Sequence, residues 1–414
     1  VFTRYRRDKK GKPVEQALIY TEREHGIKKS MIDPDAIRII EHLKNSGHQA
    51  YIVGGAVRDL LQDRKPKDFD LATDALPTKI KKIFRNARII GKRFRLVHIM
   101  AGGKIFEVST FRSNKNGSVG NEFGTMDEDV LRRDFTFNAL YYDPTDQTLV
   151  DFVGGFKDIK AGKIKPIIPI GRIFKEDPVR IIRGVKYGSL AGFSVPFSLR
   201  RAIRKDAPLL ATVSYSRMTE EFFKILASGK SEPIFRALSE FKLLEYFVPS
   251  VWAKIQADLG YSKRLFADLK TLDALHIDIS DADIEQPGEE SSARGKQKLS
   301  IALSHFLKSW LVPEEGSIED SSEAFREALL SARAFIQPLN PPRVELEAAV
   351  LMIFRTSGVS ILQKPPRQRR RRKPAARKSG LSNQGERAVS PGDVQENPGS
   401  TPPPDRDSRP ASTP

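Results

Sequence analysis

Apolar positions in the first third of the chain change period repeatedly, and each change marks an element. Ile37, Ile39, Ile40 and Leu43 form a stripe at helical spacing behind the helix-start signal Asp33-Pro34-Asp35, and Gly47 ends it. The short apolar run Ala50 to Val53 predicts a strand that runs into Gly54-Gly55, with a helix following from about Ala56 to Leu61. Similar runs predict strands at Phe69 to Ala72, Ala87 to Ile90, Arg95 to Met100 and Lys104 to Thr110. Leu76-Pro77-Thr78 opens a helix that reaches about Phe84. This alternation predicts a mixed α/β sheet, without internal repeats and without a dinucleotide-binding βαβ fingerprint. Residues 1–30 are polar and basic with no sustained period and read as an arm.

The texture changes after Asp151-Phe152-Val153-Gly154-Gly155. From Pro178 onward helical periods dominate, as in Val179, Ile182, Val185 and Leu190, then Phe222, Phe223, Ile225 and Leu226. Two acidic, turn-rich stretches, Asp278 to Ser292 and Glu314 to Glu323, read as loops whose charge suits RNA poorly. From about Gln363 the chain is basic and then rich in Pro, Ser, Gly and Asn, a composition that cannot offset the entropy of ordering and reads as disordered.

Composition narrows the chemistry. The 414 residues suffice for several domains, and no run approaches the roughly 20 apolar residues that cross a bilayer. The first residues lack a signal-peptide core, so the expected location is cytoplasmic. Without cysteine, and with six scattered histidines, any metal here is expected to sit on carboxylates. Lys plus Arg exceeds Asp plus Glu by 18 (70 against 52), which favours a polyanionic partner. The excess peaks between Lys364 and Lys373, where Arg367, Arg369, Arg370, Arg371, Arg372 and Lys373 are candidate RNA contacts.

The candidate chemistry begins at Lys67-Asp68-Phe69-Asp70. In an extended segment residues i and i+2 share a side, so Asp68 and Asp70 converge and suit a hard divalent cation. The Gly54-Gly55 corner upstream offers backbone N–H groups to a phosphate. Arg58, one turn on, can reach the same phosphates, or else pair with Asp59 or Asp63. A third carboxylate is expected from Glu107, on a later strand, or from Asp134 in Arg132-Arg133-Asp134-Phe135-Thr136-Phe137-Asn138. Arg132 and Arg133 are phosphate-binding candidates and Asn138 a ribose-binding one. Asp177, before Pro178, reads as a helix N-cap, yet Asp177 and Arg180 also share a helical face and can present an acceptor and a donor fork to a base edge. Arg217 to Leu226 reads as a capped helix with an internal salt bridge.

In order along residues 35–250, these segments resemble the family shared by bacterial poly(A) polymerases and tRNA CCA-adding nucleotidyltransferases. The family's Gly-Gly-x-Val-Arg-Asp stands at Gly54 to Asp59, its Asp-x-Asp at Asp68 and Asp70, and its Arg-Arg-Asp-Phe-Thr-x-Asn-Ala at Arg132 to Ala139. Its hinge pattern stands at Asp151, Gly154, Gly155 and Asp158, and its Glu-Asp-Pro-x-Arg at Glu176 to Arg180.

The resemblance implies an α+β fold: a polymerase-β-like nucleotidyltransferase palm, a mixed sheet with helices, followed by all-α neck, body and tail domains. The implied boundaries are a basic arm at 1–32, the palm at 33–160 and a base-recognising neck at 161–215. A body and tail that bind RNA follow at 216–362, then a disordered tail at 363–414. The implied roles are two Mg2+ ions on Asp68 and Asp70, with Glu107 or Asp134 as further catalytic carboxylate. ATP would be bound by Gly54, Gly55, Arg58, Arg112, Arg133, Asn138, Asp177 and Arg180.

The segment Phe84 to Ile99, with Lys92-Arg93-Phe94 after Gly91, resembles the poly(A) polymerase version, as does the Arg-rich tail. Gly184, Lys186-Tyr187-Gly188 and Phe137 depart from the usual family residues, and the loop between Arg112 and Asp127 is short. The expected reaction is addition of AMP from ATP to RNA 3′ ends, with CCA addition to tRNA as the rival. An RNA-binding protein with a degenerate transferase domain is the non-enzymatic alternative.

Overall fold

A computed structural model of the chain describes residues 1–7, 11–91, 96–113, 122–275, 277, 293–311 and 321–358. The Arg-rich tail, Lys92 to Arg95, most of the short loop after Arg112 and most of both acidic stretches lie outside the described residues.

Nine strands build one sheet: β1 (Phe2–Arg7), β2 (Pro13–Thr21), β3 (Ala50–Val53), β4 (Asp70–Thr73), β5 (Ala87–Ile90), β6 (Leu96–Ala101), β7 (Lys104–Thr110), β8 (Leu140–Asp143) and β9 (Thr148–Asp151). Their order is β1-β2-β9-β8-β3-β4-β7-β6-β5. Neighbours are antiparallel except β4 and β7, which run parallel. The sheet is mixed, as the alternating pattern predicts.

Side chains alternate across it. Ile52, Leu71, Val97 and Val108 enter one core with the apolar stripe of α2 (Pro34–Asn45), while Tyr51, Val53, Ala72 and Tyr141 form a second, smaller cluster. On the first side α2 is joined by α3 (Gly55–Leu60) and α4 (Pro77–Ile83) through Val57, Leu60 and Ile80.

Two features were hidden by composition. The first thirty residues, read as an arm, instead carry the β1–β2 hairpin and the short α1 (Glu22–His25), and Leu18 to Thr21 of β2 pair antiparallel with Asp151 to Thr148 of β9. Ala17 and Tyr20 are buried, whereas the basic residues of β1 lie at the sheet edge, so the period is masked by solvent-facing charge. The β8–β9 hairpin in mid-sheet was also not predicted, although all of Leu140 to Asp143 is buried. Without polar alternation such a run carries no strand period.

The later chain is helical, as expected. After α5 (Met126–Arg132) and α6 (Gly155–Lys160) come α7 (Ile170–Glu176), α8 (Val179–Ala191), α9 (Phe197–Asp206), α10 (Tyr215–Leu226), α11 (Ser231–Glu240), α12 (Leu244–Phe247), α13 (Pro249–Ala257), α14 (Leu259–Ala274), α15 (Ala293–Lys308), α16 (Ser321–Phe335) and α17 (Arg343–Thr356). Phe222 of α10 meets Phe306 of α15 edge-on at 4.8 Å and lies 6.1 Å from Phe235 of α11. Burying each such ring contributes roughly 1.5–3 kcal/mol, which ties the helices into one core. Among the described residues no helix is long and apolar enough to cross a membrane.

Candidate active site

The site grows from the end of β3. Gly54 adopts φ +68° and ψ −132°, a conformation that side chains disfavour, and this lets the strand turn into α3. Val53 pairs with Asp70 across β3 and β4, and a Cβ built on Gly54 would lie 3.6 Å from Asp70 Oδ2. The glycine corner and the second aspartate are therefore neighbours. Asp68 stands two residues earlier, in the loop entering β4, and both aspartates are half-buried.

Glu107 lies on the adjoining strand. Leu71 pairs with Val108 in the parallel β4–β7 register, which places Asp70 level with Glu107, both on the face opposite Leu71 and Val108. On the other side of Glu107, His98 of β6 is its cross-strand partner, with Nε2 3.6 Å from Oε1. That buried oxygen accepts no hydrogen bond. Among the described residues no three His, Cys, Asp or Glu side chains converge tightly enough to make a metal cage by themselves. Mg2+ asks for less, since it usually binds one or two carboxylates and completes its shell with substrate phosphate and water. The hard-oxygen pair Asp68 and Asp70, beside a glycine corner, fits that mode.

Asp134 sits elsewhere, in a buried polar network. It accepts hydrogen bonds from Phe135 N (2.7 Å) and Asn138 Nδ2 (3.1 Å), and Arg183 Nη2 of α8 lies 3.2 Å from its other oxygen. Burial alone would raise its carboxyl pKa, but Arg183, Asn138, the Phe135 amide and Arg180 outweigh it and hold the group below the usual carboxylate range. Asn138 Oδ1 in turn accepts from Arg58 Nη1 at 3.3 Å. Arg58 also donates through Nε and Nη2 to Asp59 (3.0 and 2.9 Å), so its local pairing and its place beside the glycine corner coexist. A chain of contacts thus runs from α3 through Asn138 and Asp134 into α8.

The turn that carries Asn138 is braced on both sides. Arg133 donates to Asp129 (3.0 Å), the Tyr141 hydroxyl (3.1 Å) and Asn138 O (3.0 Å), and Tyr141 donates to Asp129 at 2.6 Å. Arg112 N donates to the same Asp129 at 3.2 Å. From the hinge segment, Asp151 accepts from the amides of Val153, Gly154, Gly155 and Phe156, while Thr136 donates to Asp158 at 2.6 Å. Gly155 is pressed so closely on this turn that a Cβ would lie 2.1 Å from Thr136 O. The unusual Phe137 stacks on Phe135 at 5.6 Å, and Tyr187 meets both rings edge-on.

At the start of α8, Asp177 does not cap the helix. Its Oδ2 accepts from Arg217 Nη2 of α10 at 2.8 Å, and its buried Oδ1 accepts no hydrogen bond. Arg180 donates through Nη2 to Arg132 O at 2.7 Å, while its Nη1 is buried and bonds to nothing. One unmatched acceptor and one unmatched donor therefore lie three residues apart. The capped helix read at Arg217 to Leu226 has its internal pair, Lys224–Glu220 at 2.9 Å, but it also reaches outward. Glu221 pairs with Lys186 at 2.5 Å and with Arg183 at 3.6 Å. Sequence reading missed Asp129, Arg183, Lys186 and Glu221; only Asp129, one helical turn before Arg132 and Arg133, had a local signal.

Residues 50–165 match the family model described as the Poly A polymerase head domain, and residues 192–255 match the probable RNA- and SrmB-binding site of polymerase A. Poly(A) polymerase I of Escherichia coli O6:H1 is 37% identical over 252 residues, covering 57% of this chain and 54% of that protein. The Haemophilus influenzae protein of the same name is 42% identical over 236 residues, covering 53% and 52%. A CCA-adding enzyme of Geobacillus kaustophilus is 35% identical over 227 residues, covering 53% and 56%. The chain thus spans about half the length of the curated relatives it matches. A solved complex of a CCA-adding enzyme with ATP covers 82% of this chain and 85% of its own, at 18% identity and a TM-score of 0.50, a likeness of fold. Matched in order, residues 50–165 and 192–255 are similar to the nucleotidyltransferases represented by bacterial poly(A) polymerases and CCA-adding enzymes.

Proposed function

We propose that this protein is a template-independent RNA 3′-adenylyltransferase that uses ATP. The observation that carries the base preference is the orphan pair of Asp177 Oδ1 and Arg180 Nη1. A buried acceptor beside a buried donor matches an amino group next to an unprotonated ring nitrogen, the edge of adenine and of cytosine, and opposes guanine and uracil.

In this reading the amides at Gly54 and Gly55 and the Arg58 guanidinium hold the triphosphate, and Asn138, set by Asp134, faces the ribose. Arg112 and Arg133 add positive charge beside it, with Arg133 chiefly bracing the Asn138 turn. Asp68 and Asp70 would hold two Mg2+ ions, which when bound activate the RNA 3′-hydroxyl and neutralise the departing charge. Glu107, level with Asp70, is the better placed further carboxylate, because Asp134 is committed to Asn138 and Arg183. The RNA 3′-hydroxyl loses its proton to solvent, its oxygen bonds to the α-phosphorus, the bond from that phosphorus to the α–β bridging oxygen breaks, and pyrophosphate leaves.

The RNA would lie along α9, whose Arg200 and Arg204 guanidiniums lie 5.8 and 5.7 Å from the Phe241 ring centre, near Arg201 and Lys205. Arg367, Arg369, Arg370, Arg371, Arg372 and Lys373 would extend that grip.

Adenylation is preferred over CCA addition by the Gly91 to His98 segment and by the 37–42% identity to poly(A) polymerases. The rival keeps a specific support, since cytosine presents the same edge. Purified protein given an RNA without tRNA shape or a tRNA, with each NTP separately and with CTP and ATP together, decides between them. Long products with ATP alone support adenylation; CTP incorporation followed by one A, on tRNA only, overturns it.

A further inference from the structure

The loop that delivers Asp68 is fastened to helix ends far away in the sequence. Between α3 and β4, Gln62 Nε2 donates to Ala191 O (3.4 Å), Arg64 Nη1 to Leu190 O (3.0 Å) and Lys67 Nζ to Ala227 O (2.5 Å). Leu190 and Ala191 are the last residues of α8, and Ala227 caps α10. Lys230, beyond α10, donates to Leu190 O as well, at 3.1 Å. The final carbonyls of a helix lack intrahelical partners and carry partial negative charge, so cationic donors are favoured there. Two separate helix ends are used, and Lys67 directly precedes Asp68.

The opposite end of α8 carries Arg180, with Asp177 just before it. A helix of 13 residues is a stiff rod of about 20 Å. Its start therefore presents the polar pair assigned to the base, and its finish holds the loop assigned to the metal.

We propose that Arg64 and Lys67 are positioning residues that latch the Asp68 loop to the ends of α8 and α10, so that α8 sets the base-reading pair and Asp68 in one fixed relation. The functional consequence rests on the proposed role of Asp68; the latch itself does not. Lys67 has a competing role, direct contact with the triphosphate or RNA, which would appear in substrate affinity and not in loop order.

The test is hydrogen exchange of the full chain over residues 61–70, read beside steady-state kinetics with ATP and RNA, for Lys67→Met, the Arg64→Met/Lys67→Met pair and Lys67→Arg. Loss of the latch exposes the loop amides to local opening, so exchange there is expected to rise roughly tenfold or more in the double variant. Misplacing a reacting group without loosening substrate lowers kcat by about tenfold or more while KM for ATP stays within about twofold. Lys67→Arg, which keeps a cationic donor, restores both readouts. Unchanged exchange over 61–70, or a loss expressed only as a higher KM, overturns the inference. Asp68→Asn is run in parallel: full activity in that variant removes the metal role of Asp68, while loop exchange in the Arg64 and Lys67 variants still decides whether the latch exists.

Discussion

Arg217 and Asp177 lie forty positions apart and are joined by a 2.8 Å hydrogen bond that occupies one carboxylate oxygen and leaves the other buried without a donor. In the proposed reading, the bond fixes which carboxylate oxygen is left to face the base. Asp177→Asn replaces a pure acceptor with a group that can also donate, which is expected to erode discrimination against GTP by about 1–3 kcal/mol, or roughly 5- to 150-fold. Arg217→Met is expected to erode it less, because Asp177 then keeps its chemistry and loses only its orientation. Competition between labelled ATP and GTP measures both; unchanged ratios in both variants would remove Asp177 from base selection.

The Lys186–Glu221 pair gives a stability prediction with a defined pH sign. Burial opposes ionisation of Glu221, but Lys186, Arg183 and Lys224 outweigh it and pull its pKa from 4.5 to about 2. A carboxyl depressed in the folded state contributes stability that is complete above its unfolded value and is lost as pH falls toward the folded one. Glu221→Gln leaves Lys186 buried without its counter-ion and is expected to cost about 3–5 kcal/mol near neutral pH. Urea denaturation of parent and variant should show a gap that is widest there and closes as pH drops from 4.5 towards about 2. A gap that does not depend on pH would point to packing alone.

Gly155 offers a steric test of the brace behind Asn138. In Gly155→Ala the new methyl would stand 2.1 Å from Thr136 O, so the turn must move. Overpacking of this kind costs about 1–3 kcal/mol, and the displaced Asn138 is expected to raise KM for ATP. Thermal denaturation and ATP kinetics report the two effects separately; a variant equal to the parent in both would show that the turn is not set by this contact.

Truncation after Leu362 removes the Arg-rich tail. Each lost phosphate contact flattens the salt dependence of RNA binding, with a slope change of about 0.7 per contact for a single strand. RNA affinity measured across a salt series should fall and flatten while ATP binding persists. An unchanged slope would exclude the tail from the RNA interface.

Legibility in the sequence followed the range of the interaction. The bounds of β3, β5 and β7 could be read from local pattern, as could the glycine corner between β3 and α3, because each depends on neighbours within a few positions. The alignment of Glu107 with Asp70 could not, since it depends on the parallel register of β4 with β7 across 37 positions. Lys186 and Glu221, 35 apart on α8 and α10, carried no mutual signal either. The β1–β2 hairpin was obscured for another reason: its exposed edge is basic, and only β2 turns side chains into the core.

In the proposed reaction Asp68 and Asp70 hold the reacting centre. Magnesium-dependent pyrophosphate release from ATP and RNA, measured for Asp68→Asn and Asp70→Asn beside RNA binding, tests it most directly. Release is expected to fall below detection in both variants with RNA affinity retained; parental release from either variant would remove that aspartate from the reacting centre.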